Sequence, residues 1–109
     1  MTDNLIFLYK IQPVRPEMVS DSPTPEEETI VGEHFSYLER LTHEGVVLLA
    51  GRTLNLDYSN FGIIIFRASS EQATRQLVES DPAVKNRVMR AELYPYRIAL
   101  LGDFTNLKE

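Results

Sequence analysis

The segment Gly62–Ala68 is apolar on both sides of the strand it is predicted to form. Side chains alternate across a strand, so Ile63 and Ile65 face one way while Ile64 and Phe66 face the other. The first predicted strand, 5–11, repeats the pattern, with Leu5, Phe7 and Tyr9 on one face and Ile6 and Leu8 on the other. Val46–Ala50, read as a strand between these two, is nearly all apolar. Two helices can cover only one face of the resulting sheet. Monomers rarely expose apolar patches beyond a few hundred Å². The pattern therefore predicts a second copy packed on the open face, as a two-fold homodimer.

The rest of the chain supplies the helices. Residues 12–24 hold Pro13, Pro16 and Pro23 among Ser and Asp and read as a loop, long enough to cover a site. Thr24 then marks a helix start: Pro25 suits the first helical position and Glu27 completes a capping box. The run Glu26–Glu28 meets the positive end of that helix dipole, which makes it a cap rather than a metal ligand set. Ile30, Val31, His34, Phe35, Leu38 and Leu41 recur at helical spacing, and Gly45 supplies the left-handed stop. A polar loop follows the second strand from about 53 to 60. Ser69 or Ser70 caps a second helix, with Ala73, Leu77 and Val78 facing inward, that stops at Asp81-Pro82. A turn over Ala83–Asn86 leads to a fourth strand, Val88–Tyr94, and a short apolar tail from Tyr96 to Leu101. The order β-α-β-β-α-β predicts an α+β, ferredoxin-like fold: an antiparallel four-stranded sheet with two helices on one face. At 109 residues, 1–109 reads as a single domain.

Composition narrows the chemistry. The chain has no Cys, which removes disulfides, thiolate catalysis and every Cys-based metal centre. A net charge of −5 argues against nucleic acid as a partner. No apolar run approaches the ~18 residues of a membrane span, and no signal-peptide pattern opens the chain, so a cytoplasmic protein without a membrane partner is expected. Gly-rich phosphate loops, dinucleotide fingerprints and nucleophile elbows are missing, and the two histidines lack an HxxxH or HExxH spacing. Neither a cofactor nor a metal is therefore expected.

His34 is the most informative residue. It lies on or beside the helix stripe that faces the sheet, where it is either a packed histidine bonded to a backbone carbonyl or a general acid/base at a pocket edge. The imidazole side chain, with an ordinary pKa of ~6.5, suits proton transfer near neutrality. His43, in the last helical turn, reads as a favourable charge at the negative dipole end. Asp81 is either a turn residue bonding backbone amides or the carboxylate that orients His34. The two stand 47 positions apart, and spacing cannot show whether they touch. Arg52 closes the second strand as either a solvated loop residue or an anchor for an anionic ligand. Tyr9, Tyr94 and Tyr96 are strand or strand-end tyrosines, commonly core or interface fillers. Tyr9 and Tyr94 join Arg52 as candidate substrate-binding residues.

Three stretches taken together resemble the YciI-like (YCII-related) family: Glu33-His34-Phe35-Ser36-Tyr37-Leu38-Glu39-Arg40-Leu41, Glu44-Gly45-Val46-Val47-Leu48-Leu49-Ala50-Gly51 and Ser80-Asp81-Pro82-Ala83-Val84. They match an H-x-x-x-L-x-x-L helix, an E-G-x-x-L-x-A-G strand entry and a D-P turn, in the family's order, over nearly all of the chain. The resemblance implies a ferredoxin-like fold assembled as a dimeric α/β barrel. It also implies a small cleft with a histidine and an aspartate suspected of catalysis, matching His34 and Asp81. This chain departs from the family at two positions. Val31 stands where many members have arginine, and Arg52 follows Ala50-Gly51 where many have proline. Arg52 would return a positive charge to the cleft. One relative eliminates chloride from a chlorinated hydroxyquinol, so the resemblance implies lyase- or isomerase-like acid/base chemistry on a small anionic or aromatic metabolite. The rival expectation is a dimeric domain that binds a small ligand or a protein without catalysis.

Overall fold

The computed structural model describes residues 5–105 and 107. The elements run β1 (Leu5–Pro13), α1 (Glu17–Ser20), α2 (Pro25–His43), β2 (Val47–Arg52), β3 (Gly62–Ala68), α3 (Glu71–Ser80), α4 (Pro82–Lys85) and β4 (Met89–Pro95). The strands form one antiparallel sheet in the order β2-β3-β1-β4, with the helices on one face. This is the expected ferredoxin-like arrangement. No described helix is long and apolar enough to cross a membrane.

The two-faced strands sort as their alternation requires. Phe7, Tyr9 and Ile11 of β1 and Ile64 and Phe66 of β3 are buried beneath the helices, with Leu38 and Leu41 of α2 and Val78 of α3. Phe66 stacks on Phe7 with ring centroids 6.0 Å apart and meets Tyr9 edge-on at 5.8 Å. The opposite parity, Ile6 and Leu8 of β1 with Ile63 and Ile65 of β3, is only partly covered.

The helix signals also hold. Thr24 Oγ1 accepts from the Glu27 N–H while Glu27 Oε1 accepts from the Thr24 N–H, a complete capping box. Gly45 takes φ +81° after α2, and the Val46 N–H donates back to the Leu41 carbonyl, closing the helix. Ser70 caps α3 through the Ala73 N–H. The buried residues of α3 are Thr74 and Val78, while Ala73 and Leu77 are only partly covered.

The segment 12–24 is more structured than a loop. β1 runs on through Pro13, α1 forms after Pro16, and Met18 is buried. Arg15 ties the segment to α2 with a two-pronged contact to Glu27, at 2.9 and 2.7 Å, and a bond to the Ser22 carbonyl.

Candidate active site

Asp81 owes its position to the proline that follows it. Pro82 disfavours helical geometry at Asp81, which takes φ −64° and ψ 121° and ends α3. The same residue starts α4 as its N-cap: Oδ1 accepts from the Ala83 N–H at 2.9 Å, with Pro82 at the first helical position. The carboxylate is fully buried, at 0% exposure. A buried carboxylate is tolerable only when donors surround it. Here Tyr9 Oη donates to Oδ2 at 2.7 Å, and His34 Nδ1 lies 2.7 Å from Oδ1 and 2.9 Å from Oδ2. Four groups from β1, α2, α4 and the turn between α3 and α4 thus converge on one point beneath the sheet.

This network assigns the histidine tautomer. An ionised carboxylate only accepts hydrogen bonds, so the His34 proton belongs on Nδ1 and the lone pair on Nε2. No buried side-chain nitrogen or oxygen of the described residues lacks a partner. Nε2 has no bonded partner among them and is therefore open to solvent. Tyr9 reinforces the arrangement. Burial, and then the Asp81 charge, pushes its phenol well above the ordinary tyrosine value, so it remains a donor. Tyr37, raised chiefly by burial, lies nearby but donates to the Leu77 carbonyl at 2.7 Å.

His34 borders a cavity of about 540 Å³ between α2 and the sheet. Its walls are mainly apolar: Ile11, Val31, Phe35, Leu38, Ile64 and Met89. Asp81 and Tyr9 do not border it. Imidazole therefore separates the cavity from its carboxylate. An exposed Nε2 lone pair backed by a buried anion can accept a proton and stabilise the imidazolium that results.

Arg52 reaches this cavity because β2 contains a bulge. Val47 pairs with Phe66, but the next register pair is Leu49 with Ile65, leaving Leu48 extra. The insertion reverses the alternation, so Ala50 and Arg52, opposite Ile64 and Gly62, share the helix-covered face with Val47. Arg52 makes no ion pair among the described residues. The adjoining loop is shaped by Asn60, whose Nδ2 donates to the Thr53 and Asn55 carbonyls at 2.9 and 2.8 Å. A Cβ on Gly62 would stand 3.1 Å from the Gly51 oxygen and 3.2 Å from Ile11, so glycine keeps this corner of the cavity open.

Of the residues singled out in the sequence, His34 and Arg52 line the cavity, Asp81 and Tyr9 stand behind His34, and Tyr94 is elsewhere. Tyr9 is fully buried and its hydroxyl is committed to Asp81, so it does not reach a ligand in the cavity. Tyr94 pairs with Leu8 on the opposite face, where its hydroxyl meets Glu92 at 3.3 Å. Asn60 and His43 also border the cavity and were not read as site residues. Helical spacing offered a signal for His43, which follows Phe35 and Glu39 at steps of four. Nothing in the sequence marked Asn60 among the polar residues of its loop.

No curated protein sequence matches the chain. Among solved structures, it is similar to 5-chloro-2-hydroxyhydroquinone dehydrochlorinase from Burkholderia phenoliruptrix, in complex with 2,5-dihydroxybenzoquinone. That likeness has a TM-score of 0.65 and 21% identity over 85% of this chain and 94% of that one. An uncharacterized protein from Thermotoga maritima matches with a TM-score of 0.57 and 9% identity, over 86% of this chain and 99% of that one. A 30S ribosomal protein from the same organism also matches, at 0.51 and 15%, over 85% of this chain and 88% of that one. At these identities the likenesses establish the fold, which serves an enzyme and a ribosomal component alike. The family model for the YCII-related domain matches residues 9–96, from Tyr9 of the buried network to Tyr96 beyond β4, and the chain belongs to this family.

Proposed function

We propose that the chain is a small acid/base enzyme in which His34 Nε2 moves a proton on a substrate held in the cavity. The carrying observation is the 2.7 Å contact between His34 Nδ1 and the fully buried Asp81. Asp81 orients the ring and stabilises its charged form, Tyr9 supports Asp81 from behind, and Arg52 anchors an anionic group of the substrate. The apolar walls suit a small aromatic or otherwise planar metabolite, and the volume lies within the usual range for small-molecule sites. In an elimination, Nε2 takes a proton from the substrate, the released electron pair forms the new π bond, and the leaving group departs as an anion. In an isomerisation, the imidazolium returns the proton to a different atom. Both balance without a cofactor. We read residues 1–109 as one domain that works as a cytoplasmic homodimer, the two open sheet faces packed together as an α/β barrel.

The test begins with ligands. Small anionic aromatics, starting with 2,5-dihydroxybenzoquinone, are titrated against the protein by thermal shift, because a ligand of the native state raises stability in proportion to RT ln(1 + [L]/Kd). Arg52→Ala should weaken the binding of any hit. For a hit that is turned over, His34→Asn retains a donor for Asp81 and removes the base. Its kcat should fall by about 10²-fold or more, the typical contribution of a positioned acid/base group. Turnover unchanged in His34→Asn would sink the assignment.

A further inference from the structure

The loop between β2 and β3 is exposed along most of its length, yet it ends in a buried amide. Residues 54–59 are all exposed, whereas Asn60 is 6% exposed. Thr53 and Phe61 close the loop on each other. The Thr53 N–H donates to the Phe61 carbonyl at 2.8 Å, and the Phe61 N–H donates to Thr53 Oγ1 at 3.0 Å. The Phe61 ring lies 5.1 Å from Lys10 Nζ, and Lys10 sits on the far face with Ile6 and Leu8. Successive side chains alternate, so Asn60 comes down on the side of Gly62, and both border the cavity.

The orientation of the Asn60 amide is settled by its partners. Its contacts at 2.9 and 2.8 Å are to the Thr53 and Asn55 carbonyls, which can only accept. The nitrogen therefore faces the loop and both of its hydrogens are used. Oδ1 accepts no hydrogen bond from the described residues, since Gln12 Nε2 donates to the backbone carbonyl of Asn60 instead. No buried side-chain oxygen among those residues lacks a partner, so Oδ1 is not sealed off.

Arg52 stands beside this oxygen with the opposite demand. It pairs with Gly62, two residues from Asn60, at the corner that the missing Cβ keeps open. A guanidinium only donates hydrogen bonds and an amide oxygen only accepts them. An anionic group suits Arg52, but it offers Asn60 nothing except another lone pair. A ligand that fills this corner needs an acceptor for Arg52 and a hydrogen for Asn60. The remaining polar side chains of the cavity are placed differently. Thr42 spends its hydroxyl on the Leu38 carbonyl at 2.8 Å, and Glu39 and His43 are exposed.

We propose that Asn60 Oδ1 opens into the cavity and selects the substrate: an anionic aromatic bearing a hydroxyl or amine hydrogen besides the proton that His34 removes. The proposal rests on the function proposed above and adds the group that decides which anions are held. A site built to bond a hydroxyl disfavours the analogue lacking it, because its own polar group is then left unpaired. Water reaches the open oxygen when no ligand is bound, so the discrimination is that of one net hydrogen bond.

The probes are benzoate, its 2-, 3- and 4-hydroxy derivatives and the matching fluorobenzoates, titrated by calorimetry against the full chain. Fluorine is close to hydroxyl in size and has no hydrogen to donate. Arg52→Ala should weaken all of them together. In the wild type at least one hydroxybenzoate should bind about 3- to 10-fold more tightly than benzoate and its own fluoro counterpart. Asn60→Ala should bring that pair to equal Kd. No saturable binding of any probe, or binding that Arg52→Ala leaves unchanged, overturns the anion anchor and the Asn60 assignment with it. Binding that depends on Arg52 but is equal for hydroxy and fluoro compounds overturns the Asn60 assignment alone, as does a preference that survives in Asn60→Ala. The wild type decides the question even if that variant fails to fold. The carbon-13 shift of the Asn60 side-chain carbonyl should move with the favoured hydroxybenzoate and not with its fluoro counterpart, and a stationary shift overturns the assignment.

Discussion

The two central strands put apolar residues on both faces of the sheet, and those faces meet different ends. On the helix side, Phe7, Tyr9, Ile64 and Phe66 are sealed, and the polar groups among them are all partnered. On the far side, Ile63, Ile65, Ile6 and Leu8 stay half-covered and Leu49 and Tyr94 are exposed. The contrast teaches where function can sit. A buried charge is tolerated only where backbone and side-chain donors are fixed around it, and on the sealed face the Asp81–His34 pair meets that condition. The far face leaves its charged side chains, Lys10, Arg67, Arg90 and Glu92, around an apolar row of Leu49, Ile65, Leu8 and Tyr94, where no buried charge is held in place.

The largest expected effect tests that contrast directly. Phe66→Ala on the sealed face removes a fully buried ring that touches Phe7 and Tyr9 and should cost about 3–5 kcal/mol of folding stability. Ile65→Ala, one residue away on the far face, should cost clearly less in the dilute monomer and instead shift the Kd of the proposed dimer. Urea unfolding at several protein concentrations separates the two. Equal, concentration-independent losses would erase the distinction between the faces.

Next come changes within the buried network. Asp81→Ala strands the Tyr9 hydroxyl, the His34 Nδ1–H and the Ala83 N–H together, and removes the α4 cap. At ~1 kcal/mol for the cap and ~0.5–1.5 for each of the other two hydrogen bonds, a loss of about 2–4 kcal/mol is expected. Tyr9→Phe deletes one of these donors and should cost about 1–2 kcal/mol. Proton–nitrogen spectra of the imidazole supply an independent readout. The wild type should show His34 with its proton on Nδ1, and Asp81→Ala should release that preference. A wild-type ring protonated on Nε2 would contradict the assigned network.

The parts of this design that local chemistry writes were readable in advance, and those that depend on distant contacts were not. Thr24, Pro25 and Glu27 announce the start of α2 because a cap and its reciprocal acceptor are three residues apart. Two-sided apolar strands announce a sheet with an uncovered face for the same local reason. The candidate site residues were harder. The contact of His34 with Asp81 is made by the folding of β1, α2 and α3 onto one another, and only the resemblance hinted at it. Tyr9 looks like any core tyrosine until its hydroxyl finds that carboxylate. Arg52 is turned to the cavity face by the bulge at Leu48, which an unbroken apolar run cannot reveal, since strict alternation from Val47 would send Arg52 to the far face. Tyr94 is the converse case, carried by regular pairing to the side away from His34. The short helix α1 was obscured by the prolines that flank it.

The smallest expected effect concerns the anchoring of α2, which carries His34 on the sealed side and has no counterpart on the other. The Arg15 guanidinium holds the Glu27 carboxyl down, from an ordinary value of 4.5 to about 2, with help from the Thr24 N–H. Arg15 is raised by the same contact and stays charged over the whole range. A carboxylate whose folded value is depressed contributes stability above its unfolded value and loses it as the pH falls toward the folded one. The contribution of Glu27 should therefore be fully present above about pH 4.5 and disappear between there and about pH 2. Hydrogen bonds also hold the Asp57 and Asp103 carboxyls below their ordinary value, so the informative quantity is the difference between wild type and Glu27→Gln. That difference in urea midpoint should shrink as the pH is lowered through the window. Amide exchange should locate the loss in segment 14–24 and the first turns of α2, with the strands little affected. A difference that stays constant from pH 5 to pH 2 would show that Glu27 acts here as a hydrogen-bond acceptor and not as a charge, leaving the two faces equally indifferent to acid.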